Sequence, residues 1–245
     1  MTLRFNSNIN KGVVIILLIA NQFCFGFQTP KTKTDSVSYY IEKNNLIKAL
    51  DYARKKADYY LKTKNYNAYC DIQIQKSEVY RGFNDTENTI KTLYEARNIA
   101  ETYNLLEKQA LVYRAIGNVN GLIFEYTKGK KYLHKALKIA LQLKNNDLLI
   151  KINQGFLKIC METESDSALY YLNKVDFYTK RSKSLKDKGG NQNNFYGYYL
   201  AKNDNINAKK YLDSSYATAL KTGDKNIIAL VKNNIGVYYM TIEKN

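Results

Sequence analysis

The side chains that most often do chemistry are scarce in this chain. His134 is its only histidine, so histidine acid–base catalysis or a histidine-rich metal site has little to draw on. It falls beside an apolar column and is expected to face solvent. Glu162 and Glu164 stand two apart. On a helix that spacing points them to different sides, which argues against a catalytic carboxylate pair. Gly189-Gly190 lacks the following Lys-Ser or Lys-Thr of a phosphate loop, and no convincing strand leads into it. Three cysteines, Cys24, Cys70 and Cys160, do not make a disulfide framework. The expectation is a chain with no catalytic residue, no metal ligand and no cofactor: not an enzyme.

The elements around these residues are helical and repeat. Tyr40 and Tyr80 are 40 apart, as are Tyr199 and Tyr239. Gly117 and Gly236 share a slot three residues before the tyrosine slot. In the second half of each unit Ala53, Leu93, Leu133, Leu172 and Leu212 recur at 40, 40, 39 and 40. Further columns read Ala96, Ala136, Val175, Ser215 and Ala100, Ala140, Ala219. A period near 40 is the mark of a helical solenoid, in which no unit can bury its apolar stripe alone. Residues 110–144 show both faces most clearly. Tyr113, Ile116, Gly117 and Asn120 lie on one helix, and Leu133, Ala136, Leu137 and Ala140 on the next. The small residues mark where two backbones come close.

Five full units and a half follow from this register. Asn44-Asn45, Asn84-Asp85 and Asn203-Asp204 read as turns, with Asp85 or Thr86 capping the helix that follows. In the third unit the register puts the turn at Phe124-Glu125, whereas the breaker residues are Thr127, Lys128 and Gly129. In the fourth, Gly155 comes early, so an insertion is expected before Ala168, with Glu164-Ser165-Asp166 as turn and cap. Residues 183–194 read as the one low-complexity loop, broken at Gly189-Gly190. The sixth unit holds a single helix around 229–240. Cys70 and Cys160 fall two repeats apart. With helices about 8–10 Å apart they exceed the roughly 7 Å reach of a disulfide and are expected as buried free thiols.

Residues 1–26 read as a signal peptide and 27–245 as the repeat domain. Arg4 and Lys11 precede an unbroken apolar run, Gly12 to Ala20, and Cys24 and Gly26 are small enough for cleavage after Gly26. An exported, periplasmic or envelope location follows; an uncleaved anchor is the other reading. The net charge is +16, which can mean nucleic acid or an acidic surface. Lys, Asn, Ile and Tyr are over-used together, however, and the lysines are spread along the chain among acids. A nucleic-acid partner is therefore not expected. The tyrosine columns follow the helical faces, so they read as packing rather than as base-stacking platforms. Contact with a membrane is expected only through the leader or a further C-terminal segment.

The motifs NNIGVYY (233–239) and AIGNVN (115–120), with NAKKYLDSSYATAL (207–220) and YLHKALKIA (132–140), resemble the two helices of the tetratricopeptide repeat (TPR) family. The family's helix A tryptophan and closing proline are absent, and HEAT-like repeats share the period. The resemblance implies an all-α, right-handed superhelical solenoid of antiparallel helix pairs. It also implies a groove, lined by helix A of each pair, that holds a peptide or another protein. By register the groove candidates are Ile74, Glu78, Arg81, Arg114, Asn118, Asn153, Asn193 and Asn233. Some members of the family clamp a C-terminal carboxylate. Arg114, Asn118 and Asn153 could supply part of such a clamp, but the third contribution, near Gly190 and Asn194, lacks a cation. The reading is a non-catalytic binding scaffold. The alternative is the extracytoplasmic input region of a longer membrane-bound regulator.

Overall fold

The computed structural model describes residues 36–243 apart from Glu164 and Lys183. The proposed leader, Cys24 included, lies outside the described residues. Eleven helices are found among them: α1 (Val37–Glu42), α2 (Leu46–Lys62), α3 (Tyr66–Gly82), α4 (Thr86–Thr102), α5 (Leu106–Leu122), α6 (Tyr126–Gln142), α7 (Asn146–Thr163), α8 (Ser165–Ser182), α9 (Leu185–Ala201), α10 (Asn205–Thr222) and α11 (Lys225–Ile242). Odd-numbered helices take the helix A part of each pair and even-numbered ones the helix B part. Two compact units divide at Ile159/Cys160, inside α7.

One turn design joins the helices. From α1 to α6, each helix is followed by a residue of positive φ: Asn44, Lys64, Asn84, Asn104, Phe124 and Lys144. Asn203 does the same after α9, and Gly223 after α10. Except after Gly223, where the Asp224 amide donates to Thr222 Oγ1, the amide of the next residue then bonds back to a carbonyl in the last turn, as in Asn45 N–H to Tyr40 O at 2.8 Å and Asp85 N–H to Tyr80 O at 2.9 Å. This is the Schellman arrangement, which satisfies carbonyls that the helix end would strand. At most of these junctions, Leu105 and Glu125 excepted, the residue that closes the turn also caps the following helix. Asn45, Asn65, Asp85 and Asp204 each accept an amide of that helix through the side chain. One short chain segment thus ends one helix and starts another, and helix starts recur every 20 residues.

The tyrosine register is structural. Tyr80, Tyr199 and Tyr239 are each the fifteenth residue of α3, α9 and α11, and the carbonyls of Tyr40, Tyr80 and Tyr199 close equivalent turns. Ala53, Leu93, Leu133, Leu172 and Leu212 are all fully buried, as a column at the centre of each helix B must be. In the 36–159 unit one core cluster gathers Val37, Ala49, Ala53, Tyr69 and Val79. A second gathers Leu93, Ala96, Val112 and Ile116. In the unit from Cys160 onward, Tyr196, Leu200, Leu212, Val231 and Tyr238 form the core.

Three expectations are corrected. The third turn sits at Phe124, where the register put it, and Gly129 is not a breaker. Gly129 is buried inside α6, where a Cβ would lie 3.0 Å from Gly117 O and 2.9 Å from Ile159 Cδ1. It is a place where two helices touch. Residues 185–194 belong to α9, capped by the Ser184 hydroxyl. Burial outweighs the helix cost of Gly189-Gly190, since Gly189, Asn191, Asn193 and Asn194 all face the interior. Ser215 donates to Gly189 O at 3.1 Å. Finally, α7 starts 40 residues after α5, so Leu157 rather than Gly155 matches Gly117. The spacing from α7 to α8 is then one residue short, a deletion and not an insertion. The proposed turn residue Glu164 lies outside the described residues.

Candidate ligand-binding face

Three successive A helices of the 36–159 unit bring charged side chains together. From α3 come Glu78 and Arg81, from α5 Arg114 and Asn118, and from α7 Lys158. Arg81 donates to Glu78 Oε2 through Nε at 2.8 Å and through Nη2, and both side chains are about one-third exposed (32% and 35%). The Arg114 Nε and the Asn118 Oδ1 are buried without a hydrogen-bond partner. Burial pulls the Arg114 guanidinium below its ordinary pKa, while Glu78 pulls it back up. Burial also pushes the Lys158 ammonium down to about 8. Arg114 and Arg81 add to that shift and Glu78 opposes it. Arg81, Arg114 and Lys158 therefore lie close enough to act on one another's charge, and Arg81 engages Glu78.

The local sequence explains the grouping. Glu78, Asn118 and Lys158 stand 40 apart and occupy one position on α3, α5 and α7; Ile74, Arg114 and Gln154 occupy the position one turn earlier. Gly155 keeps the place open, because a Cβ there would lie 2.6 Å from Asn118 Oδ1 and 2.8 Å from Leu133 Cδ2. Arg81, Arg114, Asn118 and Glu78 are among the candidates expected from the register; Lys158 is not, although it stands 40 residues beyond Asn118 in the same register.

The remaining candidates are placed elsewhere. Ile74 packs partly buried against the Leu93–Ile116 cluster. Asn153 is one residue off the register held by Gln154. It is buried and donates to Leu149 O at 2.6 Å on its own helix. Asn193 is also buried and accepts from Asn234 Nδ2 at 2.6 Å, an amide pair linking α9 to α11. Asn233 is exposed. Hence Arg114 and Asn118 do not gain Asn153 as a third clamp residue.

Two further features bear on chemistry. His134 is exposed and its ring lies 4.7 Å from that of Phe156. Cys70 and Cys160 are buried and form no disulfide, and burial pushes the Cys70 thiol up to about 11. Among the described residues no group of three His, Cys, Asp or Glu is placed to hold a metal. No helix there is long and apolar enough to cross a membrane.

The helical stack is similar to known repeat structures. A putative kinesin light chain from Podosopora anserina with nearly identical TPR-like repeats aligns with TM-score 0.56 at 10% identity, over 85% of this chain and 97% of that one. BtubC (BKLC) from P. vanneervenii aligns at 0.57 and 12%, over 89% and 93%. The apo form of RapI aligns at 0.56 and 12%, over 97% and 95%. No family model and no curated protein matches the chain. The class is thus an all-α helical repeat protein of tetratricopeptide-like fold.

Proposed function

We propose that the chain is an exported, non-catalytic scaffold that binds an acidic segment of a peptide or protein on the A-helix face of α3, α5 and α7. The observation that carries this is the buried Arg114 Nε, which has no hydrogen-bond acceptor. Arg81 and Lys158 lie near it and add positive charge. A buried donor without a partner costs stability, and an incoming carboxylate would satisfy it with a charge-assisted bond. The TPR-like neighbours support protein binding as the use of such a face. Export rests on Arg4, Lys11 and the apolar run 12–20.

The test is fluorescence anisotropy with labelled peptides rich in Asp and Glu, against basic and neutral peptides of equal length. Acidic peptides should bind best. Arg114→Ala with Asn118→Ala should weaken them about tenfold or more, the scale of one charge-assisted contact, without lowering the melting temperature. Equal binding of acidic and basic peptides would sink this reading. Export is tested separately, by the N-terminal mass of secreted protein, which should correspond to cleavage after Gly26.

A further inference from the structure

Helix α6 carries a feature that the A-helix face does not use. Between Glu107 and Asp147 the only carboxylate is Glu125, while Lys128, Lys130, Lys131, Lys135 and Lys138 all fall within α6. The buried side of α6 is Gly129, Leu133, Ala136 and Ala140, so the lysines must emerge opposite. Lys128, Lys131, Lys135 and Lys138 are exposed. Among the described residues none of these four is ion-paired; the Nζ of Lys128 lies over Tyr94, and that of Lys135 over Tyr113 and Tyr132. The spacing 128, 131, 135, 138 is one helical stripe. Two exposed apolar residues bracket it: Phe124 (74% exposed) at the turn before α6, and Leu141 (52%) in its last turn.

Phe124 is the second, independent observation. It adopts φ +64, a left-handed conformation that is unfavourable for a bulky side chain. Every other described turn places Asn, Lys or Gly there. Its ring meets the edge of Tyr126, at 6.1 Å between centroids. Within the chain the aromatic ring is strained and in water. Both costs are offset if the ring is buried against something else.

We propose that the lysine stripe of α6, with Phe124 and Leu141 at its ends, docks on an anionic membrane surface. The helix is about 25 Å long. Lysines along it can reach lipid headgroups while their stems lie on the interface. Phe124 and Leu141 enter the acyl boundary, as apolar residues of interfacial helices do. A phosphate backbone would match the lysines equally well, but it would give an aliphatic Leu141 and an aromatic held at a strained turn nothing to enter. The surface is distinct from the Arg81–Arg114–Lys158 face and does not rest on the peptide-binding reading.

The experiment is vesicle co-sedimentation of the full 245-residue chain, so that any contribution of residues 1–35 is common to all variants. The reading is the increase in binding that phosphatidylglycerol adds to phosphatidylcholine vesicles. Replacing Lys128, Lys131, Lys135 and Lys138 by Gln should abolish that increase, each lysine contributing roughly fivefold. Phe124→Asn should weaken it about tenfold while raising the melting temperature, because Asn accepts the left-handed turn. That opposite pair of signs is the signature. An increase untouched by the lysine replacement overturns the proposal. So does duplex DNA bound as tightly as the vesicles, with Phe124→Asn without effect on either.

Discussion

The same substitution, Gly→Ala, should have opposite signs at Gly129 and Gly236, and the structure supplies the reason. In a helix interior, alanine gains roughly 1 kcal/mol over glycine from propensity alone. At Gly236, on the exposed side of α11, a new Cβ meets nothing within 4 Å. The full gain should therefore appear, raising the melting temperature by a few degrees. At Gly129 the Cβ would lie 3.0 Å from Gly117 O, 3.2 Å from Gly121 N and 2.9 Å from Ile159 Cδ1. The Ile159 methyl can rotate away, but the two backbone atoms can yield only if α5 and α6 separate. Overpacking of this kind costs about 1–3 kcal/mol, and separation would also loosen Leu133, which is fully buried at the same crossing. A net loss of up to about 2 kcal/mol remains after the propensity gain. Thermal melts followed by far-UV circular dichroism on the two single variants measure both signs. A Gly129→Ala protein as stable as the parent would show that the α5–α6 approach is not limited by backbone contact.

Three other outcomes are expected. Lys158 is charged in the unfolded chain up to its ordinary pKa near 10.5 but loses its proton near 8 in the folded one. Between those values the unfolded state binds more protons, so stability should rise with pH relative to Lys158→Met; a parallel pH profile for the two proteins would contradict the burial. Cys70, raised to about 11 by burial, should resist alkylation at neutral pH until the fold is opened by urea, as peptide mapping would reveal. Removing one half of the buried Asn193–Asn234 pair, by Asn193→Leu, should cost about 1–3 kcal/mol. Asn234→Leu added to it should recover part of that loss in a double-mutant cycle.

Much of this fold is legible in the residues. The helix B column Ala53, Leu93, Leu133, Leu172, Leu212 is visible because a central buried position admits few side chains. The turns at Asn44, Asn84 and Asn203 are visible because asparagine tolerates positive φ. Phe124 hides its turn, since nothing about an isolated phenylalanine suggests a left-handed backbone. Gly129, Gly189 and Gly190 mislead for a related reason: local propensity reads a glycine as a break, and only the partner helix shows that its missing side chain lets two backbones meet. On the candidate face, Arg114 and Asn118 come out of the register directly. Asn153 and Asn193 do not belong there, because a polar side chain on helix A can turn inward and bond its own carbonyl or another amide. The lysine stripe of α6 is equally present in the sequence. It is masked when charge is averaged along the whole chain, and emerges once the buried residues of one helix are known.

The shared turn has an evolutionary corollary. Because every junction up to α7 uses one backbone recipe, excising a 40-residue block between two of them would rejoin the chain ends without a new loop, and duplicating a block would extend the array equally cheaply. A 20-residue cut is different. It would rejoin just as smoothly, yet each later helix would exchange its lining role for an outer one. Gene-level gain and loss in such arrays should therefore proceed in even numbers of helices.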